Sequence, residues 1–198
     1  MPKIVDYDAR RKDIADKTVS VLVRDGFREL KLGKVAALCG IGRTTIYQYF
    51  RNTGQIIDYA LADVFKRLDA EIAAAAADDS LAPSGKLLRV MEFLERVAIL
   101  DKERMVLVLD FLLHPKREVP GVKFDVQEHV RALRVGLERV LQAGVDSGEL
   151  RPMDAKSMAF TLFSFVEAAT VHSALYDNIS LDTTLRDLRI LLDGLKAR

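Results

Sequence analysis

Apolar positions recur with helical period along nearly the whole chain, and no stretch alternates apolar and polar residues as a half-buried strand would. From Asp8 to Asp25, Ile14, Thr18, Val21 and Leu22 share one face, and Gly26 is a natural terminator. Phe27 follows at once and is positioned to dock on the next segments. Two short helices over 33–39 and 43–49 complete a three-helix unit. Its expected core is Ile14, Leu22, Phe27, Leu32, Val35, Leu38, Ile46 and Phe50. A long helix then runs from about 55 to 77 and ends in Ala73–Ala77, a run of strong helix formers.

Asp78 to Gly85, with Pro83, reads as a loop. Helices are expected over 86–100 and 102–113, with a turn around Asp101. His114-Pro115 and Val119-Pro120-Gly121 bracket a second loop, because proline disfavours helix at the residue before it. A helix over 122–145 carries Val126, Val130, Leu133, Leu137, Val140 and Leu141 on one side. Asp154 caps another that reaches Tyr176, and Ser180 caps a last one with Leu181, Leu185, Leu188, Leu192 and Leu195. The expectation is an all-α chain of about nine helices, divided into residues 1–53 and a larger helical unit, 54–198.

The helix from Asp154 is apolar nearly all round between Met158 and Leu175, so it must be covered on more than one side. A central core helix would satisfy that. So would a helix with one side on the core and another on a second copy of the chain, through Phe165, Ala169, His172, Leu188 and Leu192. Ser157–Val166, the longest uncharged apolar stretch, falls short of the ~18 residues that cross a bilayer. No membrane association is expected.

Charge changes the picture. The net charge is only +1, but residues 1–55 hold eleven Lys/Arg against six Asp/Glu, and residues 56–198 hold nineteen against twenty-three. A basic first quarter on an acidic remainder is the form of a footprint for phosphates. One cysteine excludes an internal disulfide framework and fits a reducing cytosol, and Met1–Asp13 is too polar for a secretory signal. A cytoplasmic location is expected.

Residues 34–50 carry the functional signal. Val35, Ala36 and Leu38 form a short apolar face, Gly40 permits a left-handed turn, and Ile41 plugs the gap to a second helix anchored by Ile46 and Phe50 at i, i+4. Between those anchors lie Arg43, Thr44, Thr45, Tyr47 and Gln48, all hydrogen-bonding side chains. A rod that is apolar behind and polar in front suits a major groove. Double-stranded DNA is the expected partner, and a two-fold operator is best read by a homodimer.

Ile14, Asp25-Gly26-Phe27, Val35-Ala36, Gly40-Ile41 and the run Thr45-Ile46-Tyr47-Gln48-Tyr49-Phe50 together resemble the tetracycline-repressor (TetR) family of bacterial transcriptional regulators. The likeness is specific over about residues 10–60 and architectural beyond. There, Gly148-Glu149-Leu150-Arg151-Pro152 is similar to the family's run-in to its dimerisation helices. The resemblance implies an Ω-shaped homodimer that represses by occupying an operator and is released by a small-molecule effector. It implies DNA contacts from Lys31, Lys34, Arg43, Thr44, Thr45, Tyr47, Gln48, Tyr49 and Thr53. Arg43 would pair with guanine and Gln48 with adenine, while the tyrosines and threonines would meet phosphates or a thymine methyl. Three departures stand out. Lys31-Leu32 replaces the usual Ser or Thr early in the second helix. Gly33 lacks a base-reading side chain. Asn52-Thr53-Gly54 replaces a lysine-bearing entry to the long helix.

An apolar effector cavity is expected from Phe93, Met105, Leu109, Phe111, Leu112, Phe124, Phe160 and Phe163, with Glu167 as its polar anchor. Each of these residues also reads as plain core. His114 with Glu118 and His129 with Asp125 have i, i+4 spacing, but no multi-ligand metal cluster is visible and no cofactor is expected. With neither a phosphate loop nor a nucleophile elbow, an enzyme is not expected. Cys39 reads as a small buried residue, with a redox sensor as the alternative.

Overall fold

A computed structural model describes residues 6–26, 30–114, 118–176 and 178–197. Among them lie nine helices and no strand: α1 (Tyr7–Asp25), α2 (Leu32–Leu38), α3 (Ile46–Tyr49), α4 (Thr53–Ala77), α5 (Pro83–Leu100), α6 (Lys102–Leu113), α7 (Val126–Asp146), α8 (Ala155–Leu175) and α9 (Leu181–Asp193). The all-helical expectation holds.

Local chemistry explains most of the ends. The Asp6 carboxylate accepts from the Asp8 and Ala9 amides to start α1, and Gly26 closes it at φ 81°, where a side chain would be strained. At the end of α2 the Ile41 amide donates to Ala36 O at 3.0 Å, a six-to-one closure that requires the left-handed Gly40 at φ 64°. Asn52 caps α4, accepting from Gln55 N at 2.9 Å, while Gln55 Oε1 accepts from Arg51 N at 2.8 Å. Asp154 and Ser180 cap α8 and α9 as expected.

Beyond α4, two starts differ from the sequence reading. Helix α5 begins at Pro83, because a proline suits the first turn, where its missing amide is not needed. Helix α7 begins at Val126 because Asp125 supplies its cap. Phe27 and Pro115 lie outside the described residues.

Helix α1 packs against α2, α4 and α6. It buries Ile14, Ala15, Thr18, Val19, Val21 and Leu22, joined by Val35, Ala36, Ile46 and Phe50. Leu38 is 44% exposed, contrary to its expected core role, because the short α2 turns only Val35 and Ala36 inward. Arg11 reinforces the joint, its guanidinium lying over the rings of Phe50 at 4.9 Å and Tyr59 at 4.7 Å.

Helix α4, about 37 Å long at its residue count, touches α1 at one end and α5, α6 and α7 along its length. Helix α5 is central, in contact with α4, α6, α7, α8 and α9. The carboxy-terminal residues are tied back to the α7–α8 connection, since Arg151 N donates to Leu195 O and Ala197 N to Glu149 O, each at 2.9 Å.

Helix α8 has the length and apolarity to cross a bilayer, which the shorter uncharged stretch within it does not reveal. It packs instead against α5, α6 and α7, with a third of its most apolar window buried.

Candidate nucleic-acid interface and interior cavity

The second rod of the helix-turn-helix is shorter than expected. Residues 43–45 form a turn, tied by Thr45 N and Ile46 N to Gly42 O at 3.0 and 3.2 Å, and regular helix occupies only Ile46–Tyr49. Ile46 and Phe50 are fully buried, at 0% and 1% exposure. They fix the rod so that Arg43, Thr44, Tyr47 and Gln48 are exposed, with Tyr47 at 60%. Thr45 is half-buried.

Tyr49 is also half-buried, its ring stacked on Tyr7 at 5.0 Å, and the Tyr7 hydroxyl donates to Gln48 O at 2.7 Å. The first residues of α1 therefore brace the rod, a role sequence reading missed. No periodic signal marks Tyr7, whose partner is forty-one residues away.

Lys31, Gly33, Lys34, Arg43, Ile46 and Tyr47 line a surface groove of about 550 Å³. Three of those six residues are cations. A Cβ at Gly33 would stand 3.2 Å from Arg43 Nε, so the missing side chain lets the guanidinium lie across α2. Lys34 is partly neutralised, with its Nζ 3.3 Å from Asp25 Oδ2. The Asp25 carboxyl is held down at about 2, first by the hydrogen bond from Arg24 and also by Lys34. Thr53 is half-buried at the first turn of α4. Next to it, Gly54 packs so closely on the α6–α7 connection that a methyl group would overlap the Pro120 carbonyl. Cys39 is buried at 6% exposure, and burial pushes its thiol above the ordinary value.

An interior apolar cavity lies among α4, α5, α6, α7 and α8. Of the expected lining, Met105, Leu109, Leu112, Phe163 and Glu167 reach it, joined among others by Phe65, Leu68, Val108 and Thr170. Its free volume is about 20 Å³, the room of a single water. Burial raises the Glu167 carboxyl above its ordinary value, against the pull of Arg134.

Phe93, Phe111, Phe124 and Phe160 do not line the cavity. Phe93 packs against the core, and Phe111 and Phe124 face a separate surface cleft beside Pro120. Phe160 is 59% exposed, because it turns outward under Arg134. Phe124 stacks on His129 at 4.0 Å, and the ring nitrogen of His129 lies 2.8 Å from Asp125 O. His129 thus meets the backbone of Asp125. His114 Nδ1 lies 3.2 Å from Asp110 Oδ1. No group of three or more potential ligands is found among the described residues.

The residues expected at a subunit contact separate into two sets. Phe165 and His172 are exposed on α8 and Ala169 is half-buried. Leu188 and Leu192 are buried, at 4% and 5% exposure, in the face that α9 turns to α5. They are core residues of the protomer. On the other side of α9, Ile190 and Leu191 are 66% and 49% exposed.

A short rod clamped from behind by buried Ile46 and Phe50, with polar side chains in front and a basic groove beside it, defines a helix-turn-helix transcriptional regulator. The family model described as bacterial regulatory proteins, tetR family, matches residues 14–60. That of the tetracyclin repressor-like C-terminal domain matches residues 116–188. The chain belongs to the TetR family.

It is 24% identical over 157 residues to the HTH-type transcriptional regulator YhgD of Bacillus subtilis, covering 77% of this chain and 78% of that one. The ketosteroid transcriptional regulator KstR2 of Mycobacterium tuberculosis superposes with a TM-score of 0.78 at 17% identity, over 96% of each chain. AibR, solved with isovaleryl coenzyme A and operator DNA, superposes with a TM-score of 0.70 at 16% identity. That match covers 94% of this chain and 97% of AibR.

Proposed function

We propose that this regulator is a cytoplasmic homodimeric repressor that binds a near-palindromic operator and is released by a small, largely apolar effector. Residues 1–53 would serve as the DNA-reading unit and 54–198 as the effector and dimerisation unit. The carrying observation is the exposure of Arg43, Thr44, Tyr47 and Gln48 on a rod whose opposite side is fully buried. Arg43 and Gln48 would read base edges. Lys31, Lys34, Thr44, Thr45, Tyr47 and Thr53 would meet the backbone or thymine methyls. Tyr49 would act mainly through its stack on Tyr7. The exposed apolar residues of α8 and α9 would supply the surface for a second copy, and the fold neighbour AibR, solved with isovaleryl coenzyme A and operator DNA, supports a small-molecule effector as a class.

Selection of bound sequences from a random DNA pool tests this reading. Inverted half-sites are expected, and Arg43→Ala with Gln48→Ala should cost ~1–3 kcal/mol of specific binding per lost bidentate contact. A pool that yields no enriched sequence would overturn it.

The closed cavity favours a second reading, in which a protein partner or no effector at all controls the same DNA-binding dimer. Thermal shift with short apolar acids, esters and thioesters separates the two. Stabilisation accompanied by operator release supports the effector, and a flat response supports the alternative.

A further inference from the structure

Helix α2 is a poor place for a glycine. It has only seven residues, Lys31 gives its first turn no side-chain cap, and Gly33 stands second in it. A glycine there costs backbone freedom that alanine would not. The space around Gly33 supplies a reason for it. A Cβ at this position would stand 3.2 Å from Arg43 Nε, 3.4 Å from Nη2 and 3.6 Å from Cζ, so the guanidinium fills the room that a side chain would take. Nη1 lies farther off than these three atoms. The Nε–Nη2 edge is thus set against α2, and the far end of the fork is left for the groove that Arg43 lines.

Charge does not hold the guanidinium in this seat. The other two cations along the groove are Lys31 and Lys34, and Arg43 forms no ion pair among the described residues. Lys34 has Asp25 as its partner at 3.3 Å. Like charges alongside would drive a loose arginine outward into solvent, so the seat is one of shape. The root of the side chain is fixed as well, because Thr45 N and Ile46 N tie the turn to Gly42 O and Ile46 is buried. Root and head are therefore both placed before any nucleic acid arrives. An arginine already placed gives up little rotamer freedom when its fork meets an acceptor, and its direction decides which acceptor that is.

We propose that Gly33 is a positioning residue for DNA reading: its missing side chain seats Arg43 against α2 and so selects the base pair that the guanidinium meets. The inference rests on the regulator reading above and names where part of its specificity lies. The fork suits guanine O6 and N7, and the seat makes α2 and the turn at 43–45 one reading element. With the gap filled, Arg43 keeps its charge and loses its direction. Preference at one base pair then fades, while attraction to phosphates persists.

Selection from a random DNA pool, run in parallel on the parent, Gly33→Leu, Arg43→Ala and the double variant, tests this. Leucine fills the gap, is a better helix former than glycine and offers no hydrogen bond to a base edge. Gly33→Leu and Arg43→Ala are expected to relax the preference at the same base pair of each half-site and at no other. The parent's selected duplex is then titrated beside one altered at that base pair. Discrimination of about tenfold or more is expected in the parent and below about threefold in each single variant. In the Arg43→Ala background, Gly33→Leu should change that ratio no further. Gly33→Ala, whose methyl crowds the guanidinium without filling the gap, should fall between parent and Gly33→Leu. A melting temperature at or above the parent's is expected for both Gly33 variants, which separates lost direction from lost fold.

Undiminished preference in Gly33→Leu, or relaxation at a different base pair, would overturn the proposal, as would independent losses that add in the double variant. If Gly33→Leu does not fold, Gly33→Ala decides, and full retention of the parent's discrimination then overturns it. A parent that enriches no sequence would sink the regulator reading itself. A parent that enriches one sequence, with Gly33→Leu enriching the same, sinks only this inference.

Discussion

Glu95 lies in α5 at 2% exposure, and its Oε2 has no hydrogen-bond partner among the described residues. Burial raises its carboxyl from the ordinary value of 4.5 to about 7. A folded-state pKa above the unfolded one means that the native chain holds the proton longer. This contribution to stability is therefore complete below about pH 4.5 and is lost as pH rises through 7. A tenfold change in proton affinity is worth ~1.4 kcal/mol, so the loss is on the order of 3 kcal/mol. Glu95→Gln, which stays neutral, should flatten the decline in melting temperature between pH 5 and pH 8. Parallel curves for parent and variant would refute the assignment. Asp16 has the opposite sign, because its lowered pKa supports the fold above the ordinary carboxylate range and fails in acid. No pattern of apolar spacing marks either group, since each is a charge at a position whose burial the tertiary packing alone decides.

At the scale of elements, Gly54 and Gly136 make opposed predictions. A Cβ at Gly54 would stand 2.8 Å from Pro120 C and 2.9 Å from Gly121 C, against backbone that cannot swing aside. Gly54→Ala should therefore lower stability by about 1–3 kcal/mol in urea unfolding. At Gly136, inside α7, the nearest neighbour is the Ile72 methyl at 3.1 Å. There the helix gain of alanine over glycine, roughly 0.5–1 kcal/mol, offsets the crowding. Gly136→Ala should be near neutral, and a loss as large as that at Gly54 would contradict this account.

Elements were the most legible part of the chain. The cap residues Asp154 and Ser180, the stop at Gly26 and the left-handed Gly40 each act locally, so spacing alone reveals them. The rod at 43–49 was legible as a rod but not in its fine form, because residues 43–45 are held as a turn by Thr45 N and Ile46 N on Gly42 O. The cavity lining was half legible. Met105, Leu109, Leu112, Phe163 and Glu167 are there, whereas the outward turn of Phe160 and the separate cleft at Phe124 are set by helix rotation, which apolar residues on every side of a helix leave undetermined.

At the scale of the whole molecule, α8 and α9 both leave apolar side chains uncovered among the described residues. Phe165, Val171 and Leu175 of α8 are 44%, 43% and 67% exposed, and Ile190 and Leu191 of α9 lie uncovered as well. Leu188 and Leu192, on the opposite side of α9, are spent on the protomer's own core. If a second copy covers this surface, Leu175→Glu with Ile190→Glu should yield a folded monomer by light scattering. Protomer stability should change by no more than about 0.5 kcal/mol, since both sites are exposed, and operator affinity should fall steeply with the loss of the paired reading heads. A dimer that persists would move the contact elsewhere. A Leu188→Glu variant should instead fail to fold, through a buried unpaired charge.

Cys39, shielded beneath the end of α2 with its thiol shifted away from the reactive thiolate form, leaves the chain with no other sulfhydryl. A cysteine introduced at Tyr47 would then be the fast target for a maleimide dye in an otherwise native background. In the proposed dimer, fluorescence energy transfer between two such labels would read the span separating the two recognition rods directly, in solution, with and without a candidate inducer.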